Sequence, residues 1–238
     1  MELQHQYAPK LHFEGAALGG LTPSLSEVLR TINGTKFAGL GIAGMDGFSK
    51  AYPELDKWVD QNLIQSRKAE FNSIARGCLA QLEEKASGMD IFSFFPQGVA
   101  FLQDPTVQSA FKKGGEMGTH GVPHMPLFVY EGAKDQIEPA ESTEKLIAQY
   151  CSQRHAVNIE YQSAKLLDHV GEALAGSLDA LPWIEDRLEG KPITNKRCTR
   201  KSVDLVEFDL ESLKALGSVL GAAVQGLLGA DLGPLYSG

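Results

Sequence analysis

Asp135 and His169 are the residues whose types and spacing carry the clearest chemistry in this sequence. Asp135 lies five residues beyond Tyr130, at the end of the apolar run Met125 to Tyr130. His169 lies eight residues beyond Tyr161, at the end of the segment Ala156 to Tyr161. Loops that follow the carboxyl ends of neighbouring parallel strands share one rim of a sheet. An acid followed 34 positions later by a histidine, each on such a loop, has the order of the last two members of a Ser…Asp…His triad. The carboxylate of such a pair fixes the imidazole tautomer and stabilises the imidazolium, while the other ring nitrogen serves a nucleophile. A structural reading stands beside this one: Asp135 as a turn residue, His169 as an N-terminal helix residue held by local hydrogen bonds.

The nucleophile is missing, because no Gly-x-Ser-x-Gly occurs in the 238 residues. Ser163 and Ser177 lie near His169 in sequence, but neither sits on a sharp strand-to-helix glycine turn. His120 and His124 have the spacing of one helical face, yet Pro123 and the glycines around them forbid a regular helix, so a solvated loop is a better reading than a zinc site. The cluster Phe92, Phe94 and Phe95 admits two roles, core packing or the lining of an acyl tunnel. Glu138 and Glu141 fit a helix N-terminus, where carboxylates favour the dipole.

Elements that would position the pair follow from the pattern. Leu11 to Ala17 reads as a short strand running into a loop at Gly19-Gly20. Thr22-Pro23 has the form of an N-cap and N1 proline, and Leu25, Val28, Leu29 and Ile32 follow at helical spacing. Phe37 to Ser49 reads as helix or close-packed turn. A helix from Pro53 carries Leu55, Trp58, Val59, Leu63, Phe71 and Ile74 to Gly77, and another lies around Asp104 to Phe111. Met125 to Tyr130 reads as a strand buried on both faces. Pro139 begins a helix, Ala156 to Tyr161 is a second strand, and helices follow to about Leu181 and from Pro182 to Gly190. Strand, helix, strand, helix is a βαβ unit in a parallel sheet, hence an α/β fold. Leu210, Leu213, Leu216, Leu220 and Val224 mark a further helix in the tail.

Composition sets the boundaries. Hydrophobic residues are 43% and charged residues 22%, which is globular and excludes disorder, collagen and coiled coil. The net charge of −8, with no basic run beyond Lys196-Arg197, argues against nucleic acid or an anionic membrane surface as a partner. The most apolar window, Ala215 to Ala230, holds Ser218, Gln225 and four glycines and is too short to span a membrane. Met1 to Gln6 has no secretory signal character. Three cysteines, read alone, suggest a cytosolic protein with free buried thiols.

The stretch Pro126 to Gly190, with YEGAKDQIEP, LDHVGEAL and LPWIEDRLEGKP, resembles the fungal secretory lipase family. YAPKLHFEGAALGGLTP is similar to the strand and loop that follow the family's nucleophile helix. FAGLGIAGMDGFSKAYPEL and the segment around Cys78 are similar to its helical cap. The resemblance implies an incomplete α/β-hydrolase, its last parallel strands plus an inserted, mainly helical lid. Residues 1–20 would be a core strand and loop, 21–124 the lid, 125–200 the core with the acid and histidine loops, and 201–238 a tail or flap.

Carried over, Asp135 would be the triad acid and His169 the base of carboxylic ester hydrolysis, with no metal or organic cofactor. Cys151 and Cys198 would form a disulfide, and Cys78 would pair with a residue upstream of Met1. The serine elbow and oxyanion donors would also precede Met1, in a missing N-terminal half. Without them the chemistry is incomplete. The partner would be an ester or lipid substrate, with transient contact to a lipid interface and no membrane span. Location would be extracellular by family, and cytoplasmic if the short chain is the whole protein. The alternatives are an inactive paralogue that binds acyl chains and a hydrolase-like protein acting on an acylated specialised metabolite.

Overall fold

The computed structural model describes residues 1–153, 158–194 and 197–204. Four parallel strands form one sheet in the order β1 (Ala16–Gly19), β2 (Leu127–Gly132), β3 (Ile159–Ala164) and β4 (Cys198–Val203). The register pairs Ala16 with Leu127, Leu127 with Ile159, and Ile159 with Cys198. A short α1 (Gln4–Tyr7) precedes β1. Between β1 and β2 come α2 (Leu25–Ile32), α3 (Ala38–Ala51), α4 (Pro53–Asn62), α5 (Lys68–Ala75), α6 (Leu79–Ala86) and α7 (Pro105–Gly114). Then α8 (Ala140–Ser152) connects β2 to β3, and α9 (His169–Leu188) connects β3 to β4.

Strand β2 is apolar on both faces because it is covered on both. Leu127 and Val129 pack with Leu146, Ile147 and Tyr150 of α8, while Phe128 packs with Ala180 and Trp183 of α9. The Phe128 and Trp183 rings stack at 6.0 Å. The helices between β1 and β2 bury a separate core of their own, around Ile32, Ile42, Leu55, Phe71, Phe94 and Phe101. The Phe92, Phe94 and Phe95 cluster belongs to that core, so packing, not the lining of a tunnel, is its role.

Several boundaries differ from expectation for identifiable reasons. The first strand begins at Ala16, not Leu11. Its neighbour β2 starts after Pro126, which has no N–H to extend the ladder, and Leu11 and Phe13 are left exposed. The next two strands begin two to three residues later than the apolar runs suggest, and Ala156 and Val157 lie outside the described residues. The long helix from Pro53 breaks after Asn62 because Leu63 turns extended (ψ 128°) and the Ile64 amide leaves the helix to donate to the Phe94 carbonyl at 2.9 Å.

At its far end α9 runs unbroken through Pro182. The proline forfeits one amide bond, but Ala180 and Trp183 hold the helix to β2 on either side of it. The expected tail helix lies outside the described residues. Among the described residues, no helix is long and apolar enough to cross a membrane.

Cys151 and Cys198 form a disulfide, Cα to Cα 6.0 Å, that ties the end of α8 to the start of β4. The thiols are therefore not a set of free buried groups, and Cys78 is free but exposed. The bridge closes a separation of 47 residues. Replacing both cysteines by alanine is expected to cost roughly 3 kcal/mol, chiefly by loosening the unfolded chain. A urea midpoint unchanged from the parent would contradict it.

Candidate active site

The rim beyond the carboxyl ends of β2 and β3 is drawn together by backbone contact. The Lys134 amide donates to the Leu167 carbonyl at 3.0 Å, and the Ala133 amide to that of Ala164 at 2.9 Å. Gly132 lies so close to the β3–α9 loop that a Cβ there would sit 2.6 Å from the Leu167 carbonyl oxygen. Asp135 follows in a tight turn whose geometry its own side chain sets. Its Oδ1 accepts from the Ile137 amide at 2.8 Å and the Glu138 amide at 2.7 Å. Its Oδ2 meets His169 Nδ1 at 2.7 Å.

His169 is the first residue of α9, whose N-cap is Asp168, accepting from the Gly171 amide at 2.8 Å. Both bland readings, turn acid and helix-start histidine, are therefore correct descriptions of local structure. The fold nonetheless brings the two side chains into contact.

The Asp135 side chain is 1% exposed and that of His169 is 30% exposed. Burial pushes the Asp135 carboxyl up, but the hydrogen bonds from His169 and from the Glu138 and Ile137 amides outweigh it and hold it below the ordinary value. The bond to Asp135 holds the His169 imidazolium above its ordinary pKa, against burial. With Nδ1 committed to Asp135, Nε2 is the nitrogen free to move a proton.

Three further carboxyls surround this pair, none of them marked by local pattern as chemical. Glu131 on β2 is wholly buried. It accepts from Thr143 Oγ1 at 3.0 Å, and burial, with Asp135 alongside, pushes it up to about 9. Glu172, in the first turn of α9, is 1% exposed with both oxygens unpartnered among the described residues, and burial pushes it up to about 7. Glu138 directly precedes Pro139, the N-cap of α8, as its expected place at a helix N-terminus requires, but it does more than face the dipole. It is buried, accepts from Thr22 Oγ1 at 2.8 Å, and is pushed by burial up to about 7.

Thr22 is thereby diverted from capping. Ser24 is the N-cap of α2 instead, accepting from the Glu27 amide. Glu141 does sit in the first turn of α8, exposed and paired with Lys145.

Thr22, Glu138 and His169 line a cavity of about 320 Å³ whose walls are otherwise apolar, including Leu25, Leu29, Met45 and Phe48. Gly20, at the end of β1, holds a left-handed φ of +55°, and a Cβ there would lie 3.0 Å from His169 Cε1. Gly20→Ala is therefore expected to cost about 1–2 kcal/mol in strain. It should also loosen the Asp135 contact, so that His169 titrates lower by NMR; a titration identical to the parent would contradict it.

Ser177 donates to its own helix at the Ala173 carbonyl, Ser163 lies in the β3 ladder, and neither is bonded to His169. His120 and His124 form no metal cluster, and among the described residues no group of three or more metal-ligating side chains occurs.

The family model for secretory lipases matches residues 1–196. Lipase A of Arthroderma benhamiae is 29% identical over 235 residues, covering 98% of this chain and 49% of that protein. A secreted triacylglycerol lipase of Malassezia globosa is 27% identical, covering 98% and 51%. The trichothecene C-3 esterase of Fusarium sporotrichioides is 30% identical, covering 78% of this chain and 42% of that protein. Candida antarctica lipase A in its closed state superposes with a TM-score of 0.80 at 23% identity, covering 95% of this chain and 54% of that one, a likeness of α/β-hydrolase fold. The chain thus spans about half the length of the relatives it matches.

Proposed function

This chain belongs to the secretory lipase family, and from that premise we propose that it carries the acid and the histidine of a serine-type carboxylic ester hydrolase. The observation that carries the reading is the 2.7 Å contact between a buried Asp135 and His169, which lines a largely apolar cavity.

In this mechanism His169 Nε2 takes the proton of a serine hydroxyl as the serine oxygen bonds to the ester carbonyl carbon. The resulting imidazolium, steadied by Asp135, gives that proton to the departing alcohol, leaving an acyl-serine. Water then repeats the two transfers and releases the acid. The serine and the oxyanion donors come from residues outside this chain. In this reading residues 21–124 form a lid over the acyl cavity and 125–200 supply the catalytic loops; most of the expected flap, 201–238, lies outside the described residues. Relatives named as secreted, together with the disulfide, support an extracellular setting.

A second reading, an acylated metabolite as substrate in place of a glyceride, is favoured by the likeness to the Fusarium esterase. The test is to read the coding sequence upstream of Met1 and to assay the protein it encodes on short- and medium-chain esters. An in-frame Gly-x-Ser-x-Gly and ester turnover are expected. A coding sequence without an elbow, or an elbow-bearing protein without turnover, would overturn the hydrolase reading in favour of acyl-chain binding alone.

A further inference from the structure

The turn that follows β2 grips His169 at two points, its ring and its backbone. Asp135 Oδ2 holds the ring at Nδ1, 2.7 Å away. The next residue, Gln136, is half-buried, and its Oε1 accepts from the His169 backbone amide at 3.4 Å. The place of the histidine explains why that second bond is needed. His169 is the first residue of α9, so its amide has no partner within the helix. The N-cap, Asp168, commits its side chain to the Gly171 amide at 2.8 Å and its carbonyl to the Glu172 amide at 2.9 Å. The His169 amide is left to a side chain from outside the helix, and Gln136 supplies it.

This bond governs more than the helix start. Two torsions, χ1 and χ2, separate the backbone of a histidine from its ring. Asp135 fixes the ring end and Gln136 the backbone end, and the two are consecutive residues of one stiff turn. Asp135 Oδ1 accepts from the Ile137 and Glu138 amides, and the Asp135 amide donates to the Gly132 carbonyl at 3.0 Å. Both ends of His169 are thus set from the same rigid body. Without the backbone hold, the first turn of α9 can shift against that body while the ring swings about its bond to Asp135. The swing moves Nε2, on the far side of the ring. A misplacement of about 1 Å at a reacting group costs on the order of 100-fold in rate.

We infer that Gln136 is a positioning residue for ester hydrolysis: it holds the His169 backbone while Asp135 holds the ring, so that Nε2 keeps one place. This deepens, and rests on, the ester hydrolase reading.

Two variants test it. Gln136→Met keeps the length of the side chain and removes the acceptor, whereas Gln136→Glu keeps an acceptor oxygen. In this chain, hydrogen exchange at the His169 amide should be roughly 10-fold faster in Gln136→Met, the ratio of one hydrogen bond, and near the parent rate in Gln136→Glu. The His169 NMR titration should fall in Gln136→Met, because the Asp135 bond that raises it is loosened while Glu138 and Asp168, the other acids acting on it, are unchanged. In the elbow-bearing protein Gln136→Met should lower kcat roughly 10- to 100-fold with KM little changed, and Gln136→Glu should keep most of the turnover.

A residue that merely caps α9 would lower thermal stability and leave the titration and kcat at the parent values. That outcome would overturn the inference and leave the hydrolase reading standing, as would equal losses of kcat in both variants. An unprotected His169 amide in the parent would overturn it with no variant needed. Absence of turnover in the elbow-bearing parent would overturn the hydrolase reading and the inference with it.

Discussion

Replacing His169 by alanine in the elbow-bearing protein is expected to lower kcat/KM for a chromogenic ester by about 10⁴-fold or more, with the fold intact. The size follows from what the imidazole does. Two proton transfers in each half of the cycle pass through Nε2, and the buried carboxyls around the pair, Glu131, Glu138 and Glu172, are poor substitutes because all are pushed towards their neutral forms. Asp135→Asn should cost nearly as much, about 10⁴-fold, by a different route. Its Oδ1 equivalent still accepts from the Ile137 and Glu138 amides, so the turn survives, but an amide NH₂ now faces Nδ1 and favours the wrong tautomer.

A second readout separates catalysis from structure. Asp135 is the first cause of the raised His169 pKa, so Asp135→Asn should bring the His169 NMR titration down to its ordinary range or lower. Turnover within tenfold of the parent in either variant, at equal thermal stability, would rule out the assignment.

The order Asp135 then His169, each beyond a strand of a parallel sheet, was legible because strand ends and helix starts are written in local patterns. Met125 to Tyr130 announces a strand covered on two faces, and Asp168-His169 announces a helix start whichever function it serves. The family segments YEGAKDQIEP and LDHVGEAL added the expectation that the two loops meet. What stayed hidden depends on distance in three dimensions. Thr22 has every local mark of an N-cap, and nothing near it in sequence reveals that Glu138, 116 positions away, takes its hydroxyl.

Glu131 and Glu172 were invisible for a related reason. A glutamate at the end of a strand or in the first turn of a helix is ordinary, and only the packing of α8 and α9 against the sheet shows that neither reaches water. Helix α9 shows the limit of local rules from the other side. Pro182 is a breaker by propensity, yet tertiary contacts at Ala180 and Trp183 outweigh the one bond it removes.

These buried carboxyls lead to the other large expected effect, a loss of stability on going from pH 5 to pH 8. The unfolded chain releases the proton of Glu131 above about 4.5, whereas the folded chain keeps it to about 9; over that interval folding must take up a proton, and stability falls as pH rises. Glu138 and Glu172 act with the same sign between about 4.5 and about 7. His169, raised by Asp135, adds stability at low pH that is lost as pH rises through its folded pKa, again the same direction. Among the groups of the site Asp135, which is depressed, opposes them, and its contribution disappears at pH values below the interval considered.

Each group contributes up to about 1.4 kcal/mol per pH unit. Relaxation of the buried sites reduces the sum, so a decrease on the order of 4 kcal/mol, or about 10 °C in Tm, is expected between pH 5 and pH 8. Glu131→Gln tests the origin. The amide keeps the shape and the acceptor for Thr143 Oγ1 and carries no charge at any pH, so it should be nearly neutral at pH 5 and stabilising by about 2–3 kcal/mol at pH 8. A melting temperature flat from pH 5 to pH 8, or a variant no more stable than the parent at pH 8, would show that Glu131 is ionised at little cost. Catalysis pulls the other way: His169 must be neutral to act as a base, so the conditions that favour turnover are those in which the carboxyls around it are hardest to keep buried.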